Sequence, residues 1–366
     1  MRFIQLRGKY VAKKDKKEKK DRPILRIVGR VSIFLVLNLL LIVVGLYGVL
    51  YTVAKGPSPT VRDLFVRSVR ETSAMGWLAN WFLSDAEIEQ IMSQGKDVEL
   101  EDSDPSLIVI PQPTVPDDTD EPIKDAWGFV DEDGDGIILD PIKGEGYIGY
   151  MMIVLDPSRV VMASKVEDFG IRGYTVAEMV EEFDAVAGIN AGGFDDPNGQ
   201  GNGSIPETMI VSGGQVYYAD KGVQEGFVGF DDKNIMHVGM FRPNEIKDKN
   251  IQSGVSFGPV LISNGVPRDQ VFSGINPRTG IGQRSDGAVL MLVIEGRKVS
   301  SLGATYQDMA EIFLSYGAVN ACNLDGGSSS MMWYQGDYVN DCASVVGIRP
   351  VPTAFVVLKS KEVNNG

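Results

Sequence analysis

The chain has 366 residues, 43 % of them hydrophobic, which is enough for one large folded domain or for two or three smaller ones. This hydrophobic content excludes a fully disordered or collagen-like chain. The net charge is −14, from 35 Lys and Arg against 49 Asp and Glu, yet residues 1–30 carry 12 basic and 3 acidic side chains. The rest of the chain therefore carries −23. Such an acidic body repels phosphate polymers, so we expect no nucleic-acid partner.

Residues 31–54 form a run of 24 uncharged, mostly apolar residues directly after the basic segment 1–30. About 20 such residues are enough for a helix to cross a bilayer. A cleavable signal peptide would have a shorter apolar region, and a buried helix of a soluble domain would show a polar face. We therefore interpret residues 31–54 as an uncleaved transmembrane signal-anchor of a single-pass membrane protein. Because the basic residues precede it, we expect a cytoplasmic N-terminus and an extracellular domain after Lys55.

Three further segments differ in composition. Residues 57–95 return to amphipathic helical spacing after two prolines, which predicts a helical stalk. Residues 96–122 hold five Pro and nine acidic residues against one Lys, a composition that cannot bury a core. We expect an acidic Pro-rich linker there, followed by one folded ectodomain over residues 123–361.

Within residues 123–361 the sequence predicts both strands and helices. Thr175 and Thr305 are each followed three residues later by an acidic residue and by apolar residues at helical spacing, which indicates two capped helices. Strands are predicted over residues 147–155, 185–189, 289–294 and 319–324. No internal repeat is visible. The expected fold class is therefore α+β, a single mixed-sheet ectodomain with flanking helices.

Residues 131–136 read Asp-Glu-Asp-Gly-Asp-Gly, which is the opening of a calcium-binding loop. The twelfth position of the loop, where a bidentate glutamate is required, is Ile142, and no flanking helix is predicted. We favour an acidic turn before a strand, and the metal requirement stays open.

Cysteine and histidine are scarce. Two cysteines and one histidine cannot build a tetrahedral zinc site without carboxylates, and the sequence contains neither a CxxC nor an HExxH motif. We therefore expect no cofactor. Outside the cell Cys322 and Cys342 could form a disulfide, which is our hypothesis; the alternative is Cys322 as a small core residue. We interpret His237, in a strand-like stretch, as structural.

Three polar, glycine-rich segments carry the candidate site. Residues 190–196 read Asn-Ala-Gly-Gly-Phe-Asp-Asp after an apolar strand, and residues 276–284 contain two arginines suited to bidentate binding of a phosphate or carboxylate. Residues 323–330 read Asn-Leu-Asp-Gly-Gly-Ser-Ser-Ser, so that Asp325 stands where a buried strand ends. Each segment alone is also typical of an ordinary turn.

Taken in order, residues 190–194, 256–259, 277–282 and 324–328 resemble the segments of the phosphodiester glycosidase family. The resemblance covers about residues 145–358. The family usually reads N-G-G, R-T-A-I-G and D-G-G-G-S or D-G-G-S-S-T, whereas this sequence has Ala191, Gly280 and Ser330 at the differing positions. The signal-anchor, stalk and linker are similar to the arrangement in membrane-anchored members from Gram-positive bacteria, which are associated with exopolysaccharide.

This resemblance implies a hydrolase that cleaves the sugar–phosphate bond of a sugar-1-phosphodiester in cell-surface or exopolysaccharide material. It implies Asp325 as the catalytic carboxylate, and Arg278, with Arg284 as the weaker candidate, as the phosphate ligand. The partner of Asp325 is one of Asp195, Asp196 and Glu207, among which the sequence does not choose. The other candidate substrate-binding residues are Asn190, Gly192, Gly193, Thr279, Gly326, Gly327, Ser328 and Ser329.

The expected partners are a glycan or sugar-phosphate substrate and the membrane. A membrane-anchored polysaccharide-binding or assembly module without turnover is the alternative function. Binding alone has less need of a carboxylate such as Asp325 beside an anionic ligand held by Arg278, so the presence of both favours an enzyme.

Overall fold

The computed structural model describes residues 23–72, 75–94, 102–111, 123–197, 201–218, 224–269, 271–344 and 347–360. The chain divides after Val53 into two compact units. Helix α1 (Pro23–Lys55) contains the predicted span, and Ile27–Lys55 is the one helix among the described residues that is long and apolar enough to cross a membrane. The apolar side chains from Ile27 to Val49 are exposed. Such a helix is suited to a membrane anchor or signal sequence; residues 1–22, with most of the basic charges, lie outside the described residues.

The second unit begins with a helical segment, by which we mean residues 59–72 and 75–94. It consists of α2 (Pro59–Arg70), a 3₁₀ turn (Gly76–Trp81) and α3 (Asp85–Ser93). Ser58 caps α2, and Ser84 forms a capping box at α3. The buried side chains include the apolar Val66, Val69, Leu78, Ile88 and Ile91, together with Arg67. The amphipathic spacing of this stretch therefore buries one face of the segment within the unit.

Residues 102–111, from the acidic Pro-rich stretch, pack on the folded domain. The Ser103 N–H donates to the Val238 carbonyl (3.2 Å), and the Ser103 hydroxyl accepts from the Val238 N–H (3.0 Å). The Val109 N–H donates to the Ser285 carbonyl (2.8 Å), and Ile108 is buried. Hydrogen bonds thus hold this part of the stretch; residues 96–101 and 112–122 lie outside the described residues.

The domain that follows is built from antiparallel sheets, and every strand pair among the described residues is antiparallel. A two-stranded ribbon contains β1 (Ile123–Lys124) and β2 (Val130–Asp131). The largest sheet contains, from edge to edge, β13 (Val266–Pro267), β12 (Val260–Ser263), β16 (Ala318–Leu324), β14 (Arg278–Arg284), β15 (Val289–Ile294), β4 (Tyr147–Val154) and β3 (Ile137–Gly144).

Two five-stranded sheets complete the domain. The first contains, in order, β18 (Asp337–Tyr338), β17 (Met332–Tyr334), β6 (Ala185–Asn190), β19 (Ala354–Leu358) and β5 (Val160–Ala163). The second contains β10 (Met236–Phe241), β9 (Glu225–Asp231), β11 (Ile251–Ser256), β7 (Ile210–Ser212) and β8 (Gln215–Tyr217).

One hydrophobic core unites the three large sheets. Because successive strand residues point to opposite faces, each sheet contributes alternate apolar side chains to it. Fully buried members from all three sheets are Met152, Ile281, Ile189, Phe355, Val228 and Val255. The other faces are covered by helices: α6 (Tyr306–Ser315) on the seven-stranded sheet, and α4 (Val176–Glu182) and α5 (Pro243–Asp248) on the two smaller sheets. The predicted α+β class is confirmed.

The locally encoded elements occur where the sequence predicts them. The four predicted strands are β4, β6, β15 and β16, and both predicted capping boxes form, from Thr175 to Glu178 on α4 and from Thr305 to Asp308 on α6. Gly317 follows α6 with a φ of +82°, a left-handed conformation that glycine adopts readily.

Candidate active site

A cleft opens where strands of two sheets end together. In the antiparallel pair of β14 and β16, Thr279 lies opposite Leu324, so the start of β14 adjoins the end of β16. The end of β6 meets both, because Asn190 contacts Thr279 and the Asp325 backbone. The cleft has a volume of about 690 Å³. It is lined by Glu71, Thr72, Met75, residues 193–197, Glu207, Phe257, Asn276, Arg278, Arg297, Tyr306, residues 323–329, Ala343, Ser344 and Arg349.

Asn190 and Thr279 lie beneath the cleft and do not line it. Both side chains are fully buried. The Asn190 amide donates to the Asp325 carbonyl (2.6 Å), and its oxygen accepts from the Thr279 hydroxyl (2.8 Å) and the Met331 N–H (3.1 Å). The structure therefore places these two predicted substrate-binding residues as supports that fix the backbone of Asp325.

The two glycines after Asn190 have different environments. The Gly192 N–H donates to the Thr353 hydroxyl (2.9 Å), and a Cβ at Gly192 would lie 2.6 Å from Val255, so this glycine packs in the interior. Gly193 lines the cleft, and a Cβ there would lie 3.3 Å from Glu207 Oε2. Only Gly193 therefore belongs to the cleft wall, where it leaves room for the Glu207 carboxylate.

Asp325 is held in the loop after β16. Its N–H donates to the Ala191 carbonyl (2.9 Å), and Ser329 hydrogen-bonds to its carboxylate. Burial raises the pKa of Asp325 to about 7, with a smaller contribution from the negative charge of Glu207, while the Ser329 hydrogen bond and the Arg349 charge oppose the rise. Both protonation states are therefore populated at neutral pH, which suits proton transfer.

The two glycines after Asp325 allow the loop to pass close to its neighbours. A Cβ at Gly326 would lie 2.8 Å from the Pro277 carbonyl oxygen. Gly327 has a φ of +64°, and its Cβ would lie 3.2 Å from Arg297 Nη2. Residues with side chains would be strained at Gly327, so the Gly-Gly pair brings the loop against the start of β14 and against Arg297.

The three candidate partners of Asp325 line the cleft but differ in their surroundings. Asp196 forms a two-bonded ion pair with Arg349 (2.6 and 2.9 Å), and Arg349 also donates to the Ser328 hydroxyl (3.1 Å). Desolvation of its carboxylate, followed by the charges of Asp195 and Asp196, raises the pKa of Glu207, although the residue as a whole is exposed at the cleft mouth. Asp195 is exposed. Asp196 is thus compensated by Arg349, whereas the pKa of Glu207 is raised.

Arg278 lies in the cleft wall and binds an acidic residue of the helical segment. Its Nη2 donates to Glu71 Oε2 (2.8 Å) and to the Gly274 carbonyl (2.6 Å), and its Nε donates to the Ala304 carbonyl (3.0 Å). The guanidinium lies 4.3 Å from the ring centre of Tyr306. Arg278 is 4 % exposed, and its charge is compensated by Glu71 within the protein.

Arg297 is a cleft residue that the sequence analysis did not select. Its Nη2 donates to the Thr72 hydroxyl (3.0 Å) and to Asn276 Oδ1 (3.3 Å), both neutral. Among the described residues, no carboxylate lies within salt-bridge distance of this guanidinium. Desolvation of its guanidinium, followed by the charge of Arg278, lowers the pKa of Arg297, although the residue as a whole is exposed. The sequence feature that could have selected Arg297 is its position just after the buried strand 289–294, which is similar to the position of Asp325 after β16.

Arg284 lies outside the cleft, at the other end of β14. It is fully buried and forms ion pairs with Asp125 (2.6 Å) and Asp286 (2.7 Å). The structure therefore brings Arg278 to the cleft and places Arg284 in a buried ion-pair cluster.

The acidic motif at 131–136 forms a turn between β2 and β3. Oxygens of Asp131, Asp133 and Asp135 lie within 4.8 Å of one another, and the Asp131 carboxylate accepts the Gly134 and Gly136 N–H groups (2.9 Å each). These hydrogen bonds fit the acidic-turn interpretation.

Cys322, Cys342 and His237 do not line the cleft. Cys322 and Cys342 are free cysteines, so the disulfide hypothesis is wrong for this structure. Cys322 is a buried residue of β16, and the Cys342 thiol donates to the Ser328 carbonyl (3.4 Å). His237 is buried in β10 with its Nε2 3.1 Å from Asp231 Oδ2, which fits a structural role.

Part of the chain matches a known protein family. Residues 183–358 match the family model described as phosphodiester glycosidase, so the resemblance seen in the sequence is confirmed over these residues. The three departures from the family pattern, Ala191, Gly280 and Ser330, are buried residues outside the cleft lining.

Two relatives define the similarity further. Over 195 residues the chain is 33 % identical to the SPbeta prophage-derived uncharacterized protein YomE of Bacillus subtilis (strain 168), in a match that covers 50 % of this chain and 29 % of that protein. The chain thus spans less than a third of the length of this relative. The fold of the present chain is similar to that of the zebrafish N-acetylglucosamine-1-phosphodiester alpha-N-acetylglucosaminidase catalytic domain auto-inhibited by pro-peptide. The TM-score is 0.51 at 18 % identity, and the match covers 61 % of the present chain and 82 % of the zebrafish one.

Proposed function

We propose that this chain hydrolyses the bond between the anomeric carbon and the phosphate of a sugar-1-phosphodiester, which releases a free sugar and a phosphomonoester. The observation that carries the proposal is the composition of the cleft. It contains Asp325, whose pKa is raised to about 7, and Arg297, a cation without a carboxylate partner among the described residues. The family match over residues 183–358 supports the same reaction class.

We assign the reaction at the anomeric carbon to ionised Asp325. As a base it takes a proton from water while the water oxygen bonds to the anomeric carbon, and the electron pair of the C1–O bond leaves with the phosphate. As a nucleophile its oxygen forms that bond first, and water then releases the sugar. Phosphate is a weakly basic leaving group that needs little protonation. Activity should therefore rise with pH through about 7 as Asp325 ionises.

Glu207 is the residue we assign as the second carboxylate. It lines the same cleft, its pKa is raised, and its charge in turn raises the pKa of Asp325. Asp196 is less suited to proton transfer because Arg349 binds both of its oxygens. Two interacting carboxylates of this kind are the usual requirement for cleavage at an anomeric carbon.

Arg297 is the residue we assign to the phosphate. Its guanidinium lies against Gly327, two residues along the loop from Asp325, so a phosphate bound there stands near the catalytic loop. Arg278 supports the same side of the cleft but is already paired with Glu71. A guanidinium can donate two parallel hydrogen bonds to phosphate oxygens, which orients the leaving group as well as binding it.

We further propose that α1 anchors the chain in the cell membrane with the glycosidase domain outside, acting on cell-surface or exopolysaccharide material. The apolar helix Ile27–Lys55 and the excess of basic residues before it support this orientation.

The test uses the full chain in detergent micelles and the methyl diesters of a panel of sugar-1-phosphates, including that of N-acetylglucosamine. Released reducing sugar is measured. We expect turnover of at least one diester, a loss of about 10²-fold or more in kcat for Asp325→Asn, and no change for Asp232→Asn, an exposed carboxylate outside the cleft.

Two results would overturn the proposal. One is turnover of neutral aryl glycosides as fast as that of the diesters, which would remove the role of phosphate. The other is release of sugar by folded Asp325→Asn at the rate of the unchanged chain.

A further inference from the structure

We propose that Glu71 is a positioning residue that sets the charge of the phosphate site, so that the cleft selects singly charged phosphate diesters over doubly charged phosphate monoesters. The inference rests on the proposed function, because it concerns the phosphate subsite of that cleft. Glu71 belongs to the helical segment and lies outside residues 183–358, which match the family model.

The end of α2 is closely packed against the residues that lead into β14. A Cβ at Gly274 would lie 2.1 Å from the Ser68 backbone nitrogen, so only glycine allows this approach. The Ile275 N–H donates to the Ser68 hydroxyl (2.9 Å), and the Asn276 amide donates to the Ser68 carbonyl (3.4 Å). The helical segment is therefore a fixed wall of the cleft.

The Glu71 carboxylate accepts three hydrogen bonds across this contact. Oε1 accepts from the Gly274 N–H (2.9 Å), and Oε2 accepts from the Asn276 amide (3.1 Å) and from Arg278 Nη2 (2.8 Å). Glu71 caps the C-terminus of α2, where a negative charge interacts unfavourably with the helix dipole. Helix stability does not explain an acid here, whereas the pairing with Arg278 does.

This pairing determines the charge available to a ligand. Two arginines lie on this side of the cleft, and Glu71 compensates Arg278, while Thr72 and Asn276 bind Arg297 without adding charge. Among the described residues, one uncompensated positive charge therefore remains on this side of the cleft. A phosphodiester carries one negative charge, whereas a phosphomonoester carries about −1.5 to −2 at neutral pH. The acidic side of the cleft, with Glu207 and Asp325, repels the second charge.

The same charge balance favours release of the product. Hydrolysis converts a singly charged diester into a phosphomonoester that ionises a second time near pH 6. A site with one uncompensated cation then holds the product less tightly than a site with two would. Glu71 is thereby expected to limit product inhibition as well as to select the substrate.

The test measures binding without turnover, by isothermal titration calorimetry at pH 7.5 on the full chain in detergent. The probes are inorganic phosphate, which is mostly doubly charged, and dimethyl phosphate, which is singly charged. Glu71→Gln removes the charge and keeps an oxygen that can accept hydrogen bonds. We expect it to bind inorganic phosphate at least tenfold more tightly and dimethyl phosphate less than threefold more tightly.

The matched control is Asp63→Asn, which removes a carboxylate from the same helix, where its partner is Arg62. It should leave both affinities unchanged. A folding defect weakens binding, so a gain in phosphate affinity separates the charge effect from a structural one. Unchanged or weaker phosphate binding by folded Glu71→Gln would overturn the inference. Phosphate binding needs no catalysis, so the inference and the proposed reaction can fail separately.

A second variant covers the case in which Glu71→Gln leaves Arg278 unpaired and does not fold. The double variant Glu71→Gln with Arg278→Gln removes both members of the pair and keeps the net charge. We expect phosphate affinity within threefold of the unchanged chain, because Arg297 remains. A loss of tenfold or more in the double variant would show that Arg278 binds the phosphate directly, and would overturn the inference.

Discussion

Replacing Asp325 with Asn should stabilise the protein at alkaline pH while it abolishes most of the activity. In the folded state burial raises the pKa of Asp325 to about 7, whereas an aspartate in an unfolded chain has a pKa of about 3.9. The difference is about 3 pH units, and each unit corresponds to 1.36 kcal/mol. The ionised carboxylate therefore costs the folded state about 4 kcal/mol once Asp325 has lost its proton.

The size of this effect depends on pH. Below about pH 4 Asp325 is protonated in the folded and unfolded states, so its ionisation contributes nothing to stability. Between about pH 4 and 7 the folded state keeps a proton that the unfolded state has lost, and the free energy of unfolding falls as the pH rises. Above about pH 7 the full cost remains. The amide of Asn has nearly the same shape and no charge, so Asp325→Asn avoids this cost.

Thermal unfolding of the full chain in detergent, followed by circular dichroism, measures the difference. For a domain of this size 1 kcal/mol shifts Tm by about 2–4 °C, so Asp325→Asn should raise Tm by up to roughly 8–16 °C at pH 8. At pH 4.5 the shift should be about a quarter of that or less. The exposed control Asp232→Asn should show no pH-dependent shift. An equal Tm difference at both pH values, or a lower Tm for Asp325→Asn at pH 8, would refute the reasoning.

Two further predictions concern the cleft and the membrane. Gly327→Ala should raise KM for a diester about tenfold, because a Cβ at Gly327 crowds Arg297 Nη2. The control Gly336→Ala is also at positive φ but has no atom within 4 Å of its Cβ, so it should leave KM unchanged. Equal kinetics of the two variants would contradict this role of Gly327. Protease added to intact cells should digest the sheet-rich domain as completely as in lysed cells, and survival of that domain on intact cells would contradict its proposed extracellular placement.

The secondary structure was predictable where its signals are local. The capping boxes at Thr175 and Thr305 need only residues within one turn, and β15 needs only an unbroken apolar run. The division of strands among three large sheets was not predictable in this way. It depends on pairings such as β4 with β15 and β6 with β19, which join distant parts of the chain.

The candidate site was predictable in part, and the limit has a physical reason. Position after a buried strand located Asp325, Gly326 and Gly327 at the cleft, because strand ends bring backbone and side chains to a common edge. The same signal also selected Asn190, which instead uses its amide to hold the Asp325 backbone. A local pattern shows that a polar group stands at the sheet edge. It does not show whether protein groups already satisfy its hydrogen bonds.

Arginine makes this distinction decisive, because the role of each guanidinium depends on partners from distant parts of the chain. Arg278 and Arg284 share one strand, yet Arg278 pairs with Glu71, 207 residues away, and Arg284 pairs with Asp125, 159 residues away, as well as with the nearby Asp286. Arg297 lacks such a partner among the described residues and so keeps its charge for a ligand. The segment 276–284 therefore fixes the positions of both arginines on the strand, whereas the net charge offered to a phosphate depends on the helical segment outside the family match.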